Sequence, residues 1–301
     1  MRVSIHEKFP VLSRGPLTLD LEAVMYRMVV LVIVAAASLA AAGCGDSDSA
    51  GVQPSSNPQV GRDLPQGSEP VNLDPKDFTT KIDNRYWPMV PGTRWTYRET
   101  DQEGAEMQVV VTVSNQTKEI ANGVTARVVR DTVTEDGERV EDTFDWYAQD
   151  REGNIWYMGE DTAEFENGKL TTKEGSFEAG VDGAKPGIIM PADPQDGMQY
   201  RQEYYKGKAE DNGEILSTDE MAEVPYGQFD NVLLTKDTIT IEPNVLEYKL
   251  YARGVGPVLV LGVSGGPGSR EELLNIEKVS EEEAENAGSA PLGEGPVSVG
   301  S

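Results

Sequence analysis

Alternating apolar and polar positions, mixed with runs of β-branched residues, dominate the middle of the chain. Residues 108–113 and 125–133 are rich in valine and threonine, and residues 229–241 carry a similar run. Residues 246–251 and 273–279 alternate apolar and polar side chains, which is typical of strands with one buried face. No stretch of comparable length shows clear helical periodicity. The pattern therefore predicts an all-β fold.

Turn-forming pairs separate these runs. They are Asn122-Gly123, Asp136-Gly137, Asn167-Gly168 and Asn212-Gly213. Such pairs favour type I′ turns, because both central positions of that turn need a positive φ. The spacing predicts an antiparallel hairpin meander of roughly ten or more strands. A meander of this kind forms a barrel, a half-barrel or a sandwich, and the sequence leaves these three open.

An export signal precedes the strand-rich region. Residues 29–42 form a run of 14 uncharged residues, and Arg27 stands just before it. The run is shorter than the about 20 residues that span a bilayer, and it fits the apolar part of a signal peptide. Small residues at 41–43 fit a cleavage site before Cys44. We therefore expect residues 25–43 to be a signal peptide and residues 1–24 to lie upstream of the true start codon.

The four residues Ala41-Ala42-Gly43-Cys44 resemble the lipobox of bacterial lipoproteins. The resemblance implies a diacylglycerol on Cys44, which would anchor the protein to the cell membrane on its extracytoplasmic face. Two acyl chains give stable anchoring, whereas a single chain is marginal. The membrane is thus one expected partner.

Composition divides the remainder into three parts. Residues 44–75 are rich in Ser, Gly, Pro and Asn, and we expect them to form a flexible tether. Residues 76–279 carry the strand signals and are expected to form the β domain. Residues 280–301 begin with a run of glutamates and are expected to be a disordered acidic tail.

Charge and residue content exclude several functions. The net charge is -26, from 52 acidic and 26 basic residues, so phosphate repulsion argues against nucleic-acid binding. His6 is the single histidine and Cys44 the single cysteine. A mature chain beginning at Cys44 lacks the residues for Ser-His-Asp or Cys-His catalysis and for zinc, copper or haem ligation. We expect no cofactor, no metal and no catalytic residues.

Aromatic residues supply the candidate site. They cluster in three places along the predicted strands: Trp87, Trp95 and Tyr97; Trp146; and Trp156 with Tyr157. One interpretation is a core with partly buried rings. The other is an aromatic-lined cavity for a ligand, as small barrels provide.

Two segments resemble an uncharacterised group of bacterial secreted lipoproteins, loosely of the DUF3108 type. They are residues 78–88, with the Pro-Gly-Thr-Arg-Trp-Thr-Tyr stretch that follows, and residues 248–257. The resemblance implies a β-rich envelope protein and brings no catalytic residues. We therefore expect a non-catalytic binding or interaction module for a small apolar ligand or an envelope protein. The alternatives are an envelope hydrolase with a carboxylate pair and a structural or calcium-stabilised surface protein.

Overall fold

Antiparallel strands make up almost all of the computed structural model, which describes residues 64–263 and 268–294. Within these ranges there are sixteen strands, one α-helix and a 3-10 turn at Pro75–Asp77. The elements are β1 (Phe78–Thr79), β2 (Thr93–Thr100), β3 (Glu106–Glu119), β4 (Thr125–Glu135), β5 (Glu138–Asp150), β6 (Ile155–Glu166), β7 (Lys169–Thr172), β8 (Phe177–Glu178), β9 (Lys185–Met190), β10 (Gln199–Arg201), β11 (Glu203–Tyr204), β12 (Asp211–Val224), β13 (Gly227–Ile239), β14 (Leu246–Ala252), β15 (Gly256–Gly262), β16 (Ser269–Lys278) and α1 (Glu281–Ser289).

Thirteen of the strands form a nearly closed barrel, in the order β10-β12-β13-β14-β15-β16-β2-β3-β4-β5-β6-β9-β11. Consecutive strands pair from β2 to β6 and from β12 to β16, and β16 pairs with β2 to join the two series. The all-β hairpin meander is therefore confirmed, and of the three forms left open it takes the barrel.

A single short stretch, residues 199–204, carries both ends of the sheet. Tyr200 in β10 lies opposite Gly213 in β12, and Glu203 in β11 lies opposite Pro186 in β9. The two end strands, β10 and β11, do not pair with each other. They follow one another directly in the chain, so the backbone between them links the two ends of the sheet.

Two of the four predicted pairs form type I′ turns. Asn122-Gly123 lies in the turn between β3 and β4, but only Gly123 has a positive φ, and the fourth pair makes no turn. Asp136-Gly137 and Asn167-Gly168 have positive φ at both residues, as type I′ turns require. Asn212-Gly213 lies inside β12 instead, where a Cβ on the glycine would come within 2.5 Å of the Tyr200 ring. That glycine is needed for close packing at the end of the sheet and makes no turn.

Residues 80–92 lie against one end of the barrel, which we call the plugged end. Ile82, Tyr86 and Met89 from this segment are buried. The Asn84 side chain holds the segment in place, because its Nδ2 donates to the carbonyl of Gly153 in the β5–β6 turn at 3.0 Å. The β2–β3, β4–β5 and β13–β14 turns lie at the opposite end.

The expected tether boundary at residue 75 is wrong, because residues 64–69 are bound to the barrel. The Arg201 side chain is fully buried, and its Nη1 donates to the carbonyls of Gly67 (2.7 Å) and Glu69 (2.8 Å). Its backbone N–H donates to Pro65 O at 2.7 Å. Composition could not reveal these contacts, because they are made by the backbone of residues 64–69 and do not depend on the type of side chain.

The expected disorder of the C-terminal tail is also wrong for the part that the structure describes. Ser280 caps α1 in a capping box with Glu283, and acids in the first turn are favourable near a helix N-terminus. Ala284 and Ala287 are buried. Beyond the helix, Arg130 donates to Ala290 O at 3.1 Å. The glutamate run thus begins a helix whose small residues pack on the barrel.

Several expectations fall outside the described residues. These are the upstream extension 1–24, the signal peptide 25–43, Cys44 with tether residues up to 63, and tail residues 295–301. In the ranges that the structure describes, no helix is long and apolar enough to cross a membrane.

Candidate functional site

Carboxylates on the inward faces of nine strands form one layer inside the barrel. Cross-strand partners place several of them side by side: Glu99 opposite Glu271, Asp145 opposite Glu160, and Asp237 opposite Glu247. We call the set the acidic layer. Its ten members are Glu99, Asp131, Glu141, Asp145, Glu160, Glu203, Asp211, Asp237, Glu247 and Glu271.

The members of the acidic layer influence one another across the lumen. The pKa of Glu99 is raised to about 8, mainly by burial and in part by the charges of Glu271, Glu247 and Glu141. Glu99 lies on β2, whereas Glu141 lies on β5 and Glu247 on β14, so these strands are not neighbours in the sheet. Their side chains can meet only in the interior.

Other carboxyls of the layer also hold protons more tightly than usual. Burial is the largest cause in each case, raising the pKa of Glu141 and of Glu271 to about 7 and that of Asp145 to about 6. The Tyr157 hydroxyl donates to Asp145 Oδ1 at 2.7 Å, which acts to lower the Asp145 pKa. Near neutral pH the layer therefore retains several protons.

Lys249 is the basic side chain within the layer. Burial acts to lower its pKa, but Asp237 and Glu247 outweigh that effect and hold it well above its usual value. Its Nζ lies 3.1 Å from Asp237 Oδ2 and 3.3 Å from Glu247 Oε2. One ammonium among ten carboxyls leaves most of the layer without a counter-charge in the part of the chain that the structure describes.

Some oxygens in the layer lack a hydrogen-bond partner among the described residues. They are Glu99 Oε1, Asp131 Oδ1, Glu203 Oε2 and Asp211 Oδ1. Glu99 and Glu203 are 3% and 6% exposed, so these are buried acceptors with unmet capacity. Buried acceptors of this kind are favourable places for a bound donor.

Solvent nevertheless reaches the layer. The side chains of Glu247 and Lys249 are 20% and 24% exposed, and Asp131, Glu141 and Asp145 are also partly exposed. Because these side chains face into the barrel, we infer that solvent reaches them through the lumen. A small solute could follow the same route.

Aromatic rings fill the lumen between the acidic layer and the plugged end. Tyr147 and Tyr157 stack with their ring centres 5.1 Å apart, and Trp87 lies 5.7 Å from Tyr147 and 5.8 Å from Tyr251. Desolvation raises the pKa of Tyr147 and Tyr157 well above the usual value, so both stay protonated. The interior thus changes from aromatic to acidic along its axis.

The structure divides the six predicted aromatics between the two faces of the barrel wall. Trp87, Trp95, Tyr97 and Tyr157 are interior; the Trp95 indole donates to Val255 O at 2.8 Å. Trp146 and Trp156 are on the opposite face. The Lys118 Nζ lies 4.5 Å from the Trp146 ring centre, and Trp156 packs edge-on against Phe78.

No group of three or more carboxylates in the described ranges has the geometry to hold a metal ion. The carboxyls are spread round the wall, so their charge is distributed over the lumen. This arrangement suits a ligand with several separated donors better than a single small ion.

Comparisons with known proteins give three solved structures. No family model and no curated protein matches the chain. A protein described as exported, with a YmcC-like fold, from Bacteroides fragilis is 16% identical, over 65% of this chain and 100% of its own, with a TM-score of 0.41. A protein described as a lipoprotein, from Parabacteroides distasonis, is 12% identical, over 64% and 99%, with a TM-score of 0.35. A β-barrel-like protein of domain of unknown function DUF1849, from Brucella abortus, is 11% identical, over 62% and 98%, with a TM-score of 0.33.

At these scores the likenesses establish neither a shared fold nor a shared activity. The resemblance of residues 78–88 and 248–257 to DUF3108-type proteins stays a resemblance, because no family model supports it. The function of this chain has to be argued from its own residues.

Proposed function

We propose that this protein is a lipid-anchored, non-catalytic binding module of the cell envelope, and that its ligand is an organic cation with more than one ammonium group. The observation that carries the proposal is the acidic layer: ten inward carboxyls, one lysine and buried oxygens with unmet hydrogen-bonding capacity. The anchor is Cys44, proposed to carry a diacylglycerol on the extracytoplasmic face of the membrane.

The chemical class of the ligand is inferred from the side chains that line the lumen. An apolar ligand, expected from the aromatic residues, would have to lie against carboxylates and leave them desolvated without a partner, which is costly. An ammonium group supplies both charge and donors to those carboxylates. The rings of Trp87 and Tyr147 below the layer favour the same ligand, because aromatic faces attract organic cations.

Binding should release protons. At pH 7.5 the carboxyl of Glu99, with its pKa of about 8, is mostly protonated, and those of Glu141 and Glu271 are partly so. A nearby ammonium favours the ionised carboxylate and lowers the pKa. Each carboxyl that pairs with the ligand therefore gives up its proton to the buffer.

Isothermal titration calorimetry of the full-length protein in a non-ionic detergent, with spermine as the probe, tests the proposal. We expect saturable binding at 0.15 M salt, a concentration that screens the interactions between spermine and exposed surface charges. The measured heat should change with the ionisation enthalpy of the buffer. The double variant Glu99→Gln, Glu271→Gln should raise the Kd by about tenfold or more, because two charge-assisted contacts are lost.

Glu103→Gln is the matched control. Glu103 is exposed in the β2–β3 turn, so Glu103→Gln removes a surface carboxylate and leaves the lumen unchanged. Equal effects of the control and of the lumen variants would show that spermine binds only the acidic surface. Absence of saturable binding would refute the proposal outright.

A carboxylate-pair hydrolase is a second candidate, favoured by one observation. Burial raises the pKa of both Glu203 and Asp211, and the two carboxyls influence each other in opposite directions, since Asp211 raises the pKa of Glu203 and Glu203 lowers that of Asp211. Hydrolases that use acid–base catalysis commonly have two neighbouring carboxyls with different pKa values, one acting as the acid and the other as the base. Turnover of an oligosaccharide substrate that is lost in Glu203→Gln would favour this function over simple binding.

The calcium-stabilised alternative has a direct test. A melting curve of the protein with and without a chelator should be unchanged if no calcium contributes to the fold. A lower melting temperature in chelator would favour the calcium-stabilised alternative.

A further inference from the structure

A polar cleft of about 380 Å³ lies on the outer surface at the plugged end. Arg85, Tyr86 and Arg253 form one side, and residues 194–196 with Thr218 form the other. Both arginines are exposed. The cleft shares no lining residue with the acidic layer, so it is a separate feature of the protein.

Two guanidinium groups converge on one ring in this cleft. The Arg85 Cζ lies 5.3 Å from the Tyr86 ring centre, and the Arg253 Cζ lies 5.2 Å from it. Their segments are fixed to each other, since the Gly254 N–H donates to Arg85 O at 2.8 Å. Both distances are within cation–π range, so the Tyr86 ring helps to hold the two guanidinium groups at the cleft.

Among the described residues, one ion pair involves these two arginines. Arg85 Nη2 contacts Asp193 Oδ1 at 2.8 Å, but the two side chains are 44% and 72% exposed, and such surface pairs are weak. Arg253 has no carboxylate partner in the part of the chain that the structure describes. In a chain of net charge -26, such a guanidinium remains available to pair with an external anion.

Tyr86 carries a further unmet bond. The side chain is 0% exposed, and its hydroxyl has no hydrogen-bond partner among the described residues. The hydroxyl is therefore out of reach of a solute in the cleft, and what Tyr86 contributes is its ring, which lies under both guanidinium groups.

We propose that this cleft binds a phosphate group, with Arg85 and Arg253 as the charged donors. One guanidinium is enough to satisfy the two oxygens of a carboxylate in a bidentate pair, whereas two guanidiniums match the larger number of oxygens on a phosphate. The volume leaves room for the group that bears the phosphate. That group belongs either to a soluble phosphate ester or to a phospholipid headgroup.

Titration followed by 31P NMR tests the site, using the full-length protein in a non-ionic detergent. The probes are inorganic phosphate, glycerol 1-phosphate and dihexanoyl-phosphatidylglycerol. Saturable binding of the first two supports a soluble ester, and binding of the short-chain lipid alone assigns a lipid headgroup. Saturable binding of none of the three probes overturns the proposal.

Variants locate the site. Arg253→Gln and Arg85→Gln should each raise the Kd by about tenfold. Tyr86→Phe keeps the ring under both guanidinium groups and should leave the Kd unchanged, with a melting temperature of the free protein that is unchanged or higher, since the hydroxyl has no partner to lose. Asp196→Asn should tighten binding, because it removes a negative charge from the lining.

Arg98→Gln is the control for these arginine variants. Arg98 is 42% exposed and pairs with Glu272 at 3.0 Å, so it resembles Arg85 in exposure and pairing but lies on β2. Equal weakening by this control would overturn the assignment to the cleft, and so would weaker binding in Asp196→Asn. A folded Arg253→Gln variant with unchanged affinity would overturn it as well.

Discussion

Replacing Glu99 with glutamine should stabilise the protein at neutral pH and do little at pH 5. Glu99 is 3% exposed, and burial raises its pKa to about 8 from an ordinary 4.5. At pH 7 the folded protein therefore keeps a proton that the unfolded chain has released. The gap of about 2.5 pH units between pH 7 and the ordinary pKa corresponds to about 3 kcal/mol of lost stability.

The sign follows from proton counting. The folded protein binds more protons than the unfolded chain between about pH 4.5 and about pH 8, so its free energy of unfolding falls as the pH rises through that window. Glu141 and Glu271, with pKa values of about 7, act in the same direction. We expect the wild type to be more stable at pH 5 than at pH 7.

Urea unfolding at the two pH values, followed by tryptophan fluorescence, measures the effect. The gain in unfolding free energy of Glu99→Gln over the wild type should grow by about 2 to 3 kcal/mol from pH 5 to pH 7. Glu103→Gln, an exposed neighbour in the same turn region, should show no such change. A gain that is equal at both pH values, or a wild type that becomes more stable as the pH rises, would refute the reasoning.

Three further changes test other parts of the structure. Arg201→Met should lower the unfolding free energy by about 3 kcal/mol, measured by urea unfolding, because carbonyls in the barrel wall and in residues 64–69 lose a buried donor. Asp142→Asn should lower the unfolding free energy by about 3 kcal/mol, because it leaves the buried Arg130 guanidinium without its carboxylate. It should also speed amide hydrogen exchange in the segment after α1, where the Gly293 N–H donates to Asp142. Cys44→Ser should move the protein from the membrane fraction to the soluble fraction, or leave an unprocessed precursor, since it removes the proposed lipid attachment.

Each of these has a clear contrary outcome. Arg151→Met is the control for Arg201, because Arg151 is 67% exposed, and an equal loss in both variants would contradict the buried contact. Unchanged exchange in Asp142→Asn would show that the segment after α1 is held by other contacts. A processed Cys44→Ser protein that still sediments with membranes would exclude the lipid anchor.

The strands were predictable because their apolar and polar positions alternate. Turns such as Asn167-Gly168 were predictable too, since their positive φ angles have a local sequence cause. The seam of the barrel was not. Gly213 looks like a turn residue, and only its contact with Tyr200, from a different strand, shows why a glycine is required there.

The candidate site shows the same division. The aromatic clusters were visible, but Trp146 and Trp95 could not be assigned to opposite faces without the register. The acidic layer was missed because inward glutamates such as Glu247 alternate with other residues just as solvent-facing ones do. The signal available was Glu247, Lys249 and Tyr251 at alternate positions, which place two charges on the face that carries a core tyrosine.

The pairing of β16 with β2 has a consequence for synthesis of the chain. Trp95 lies opposite Ile276, so the partner of β2 on this side is made about 180 residues later. A ribosome makes β2 early and β16 almost last. The edge of β2 that pairs with β16 therefore stays unpaired while most of the domain is being made. A chaperone that binds exposed strand edges would therefore have its longest opportunity at residues 93–100, and a chain truncated before β16 should be prone to intermolecular strand addition.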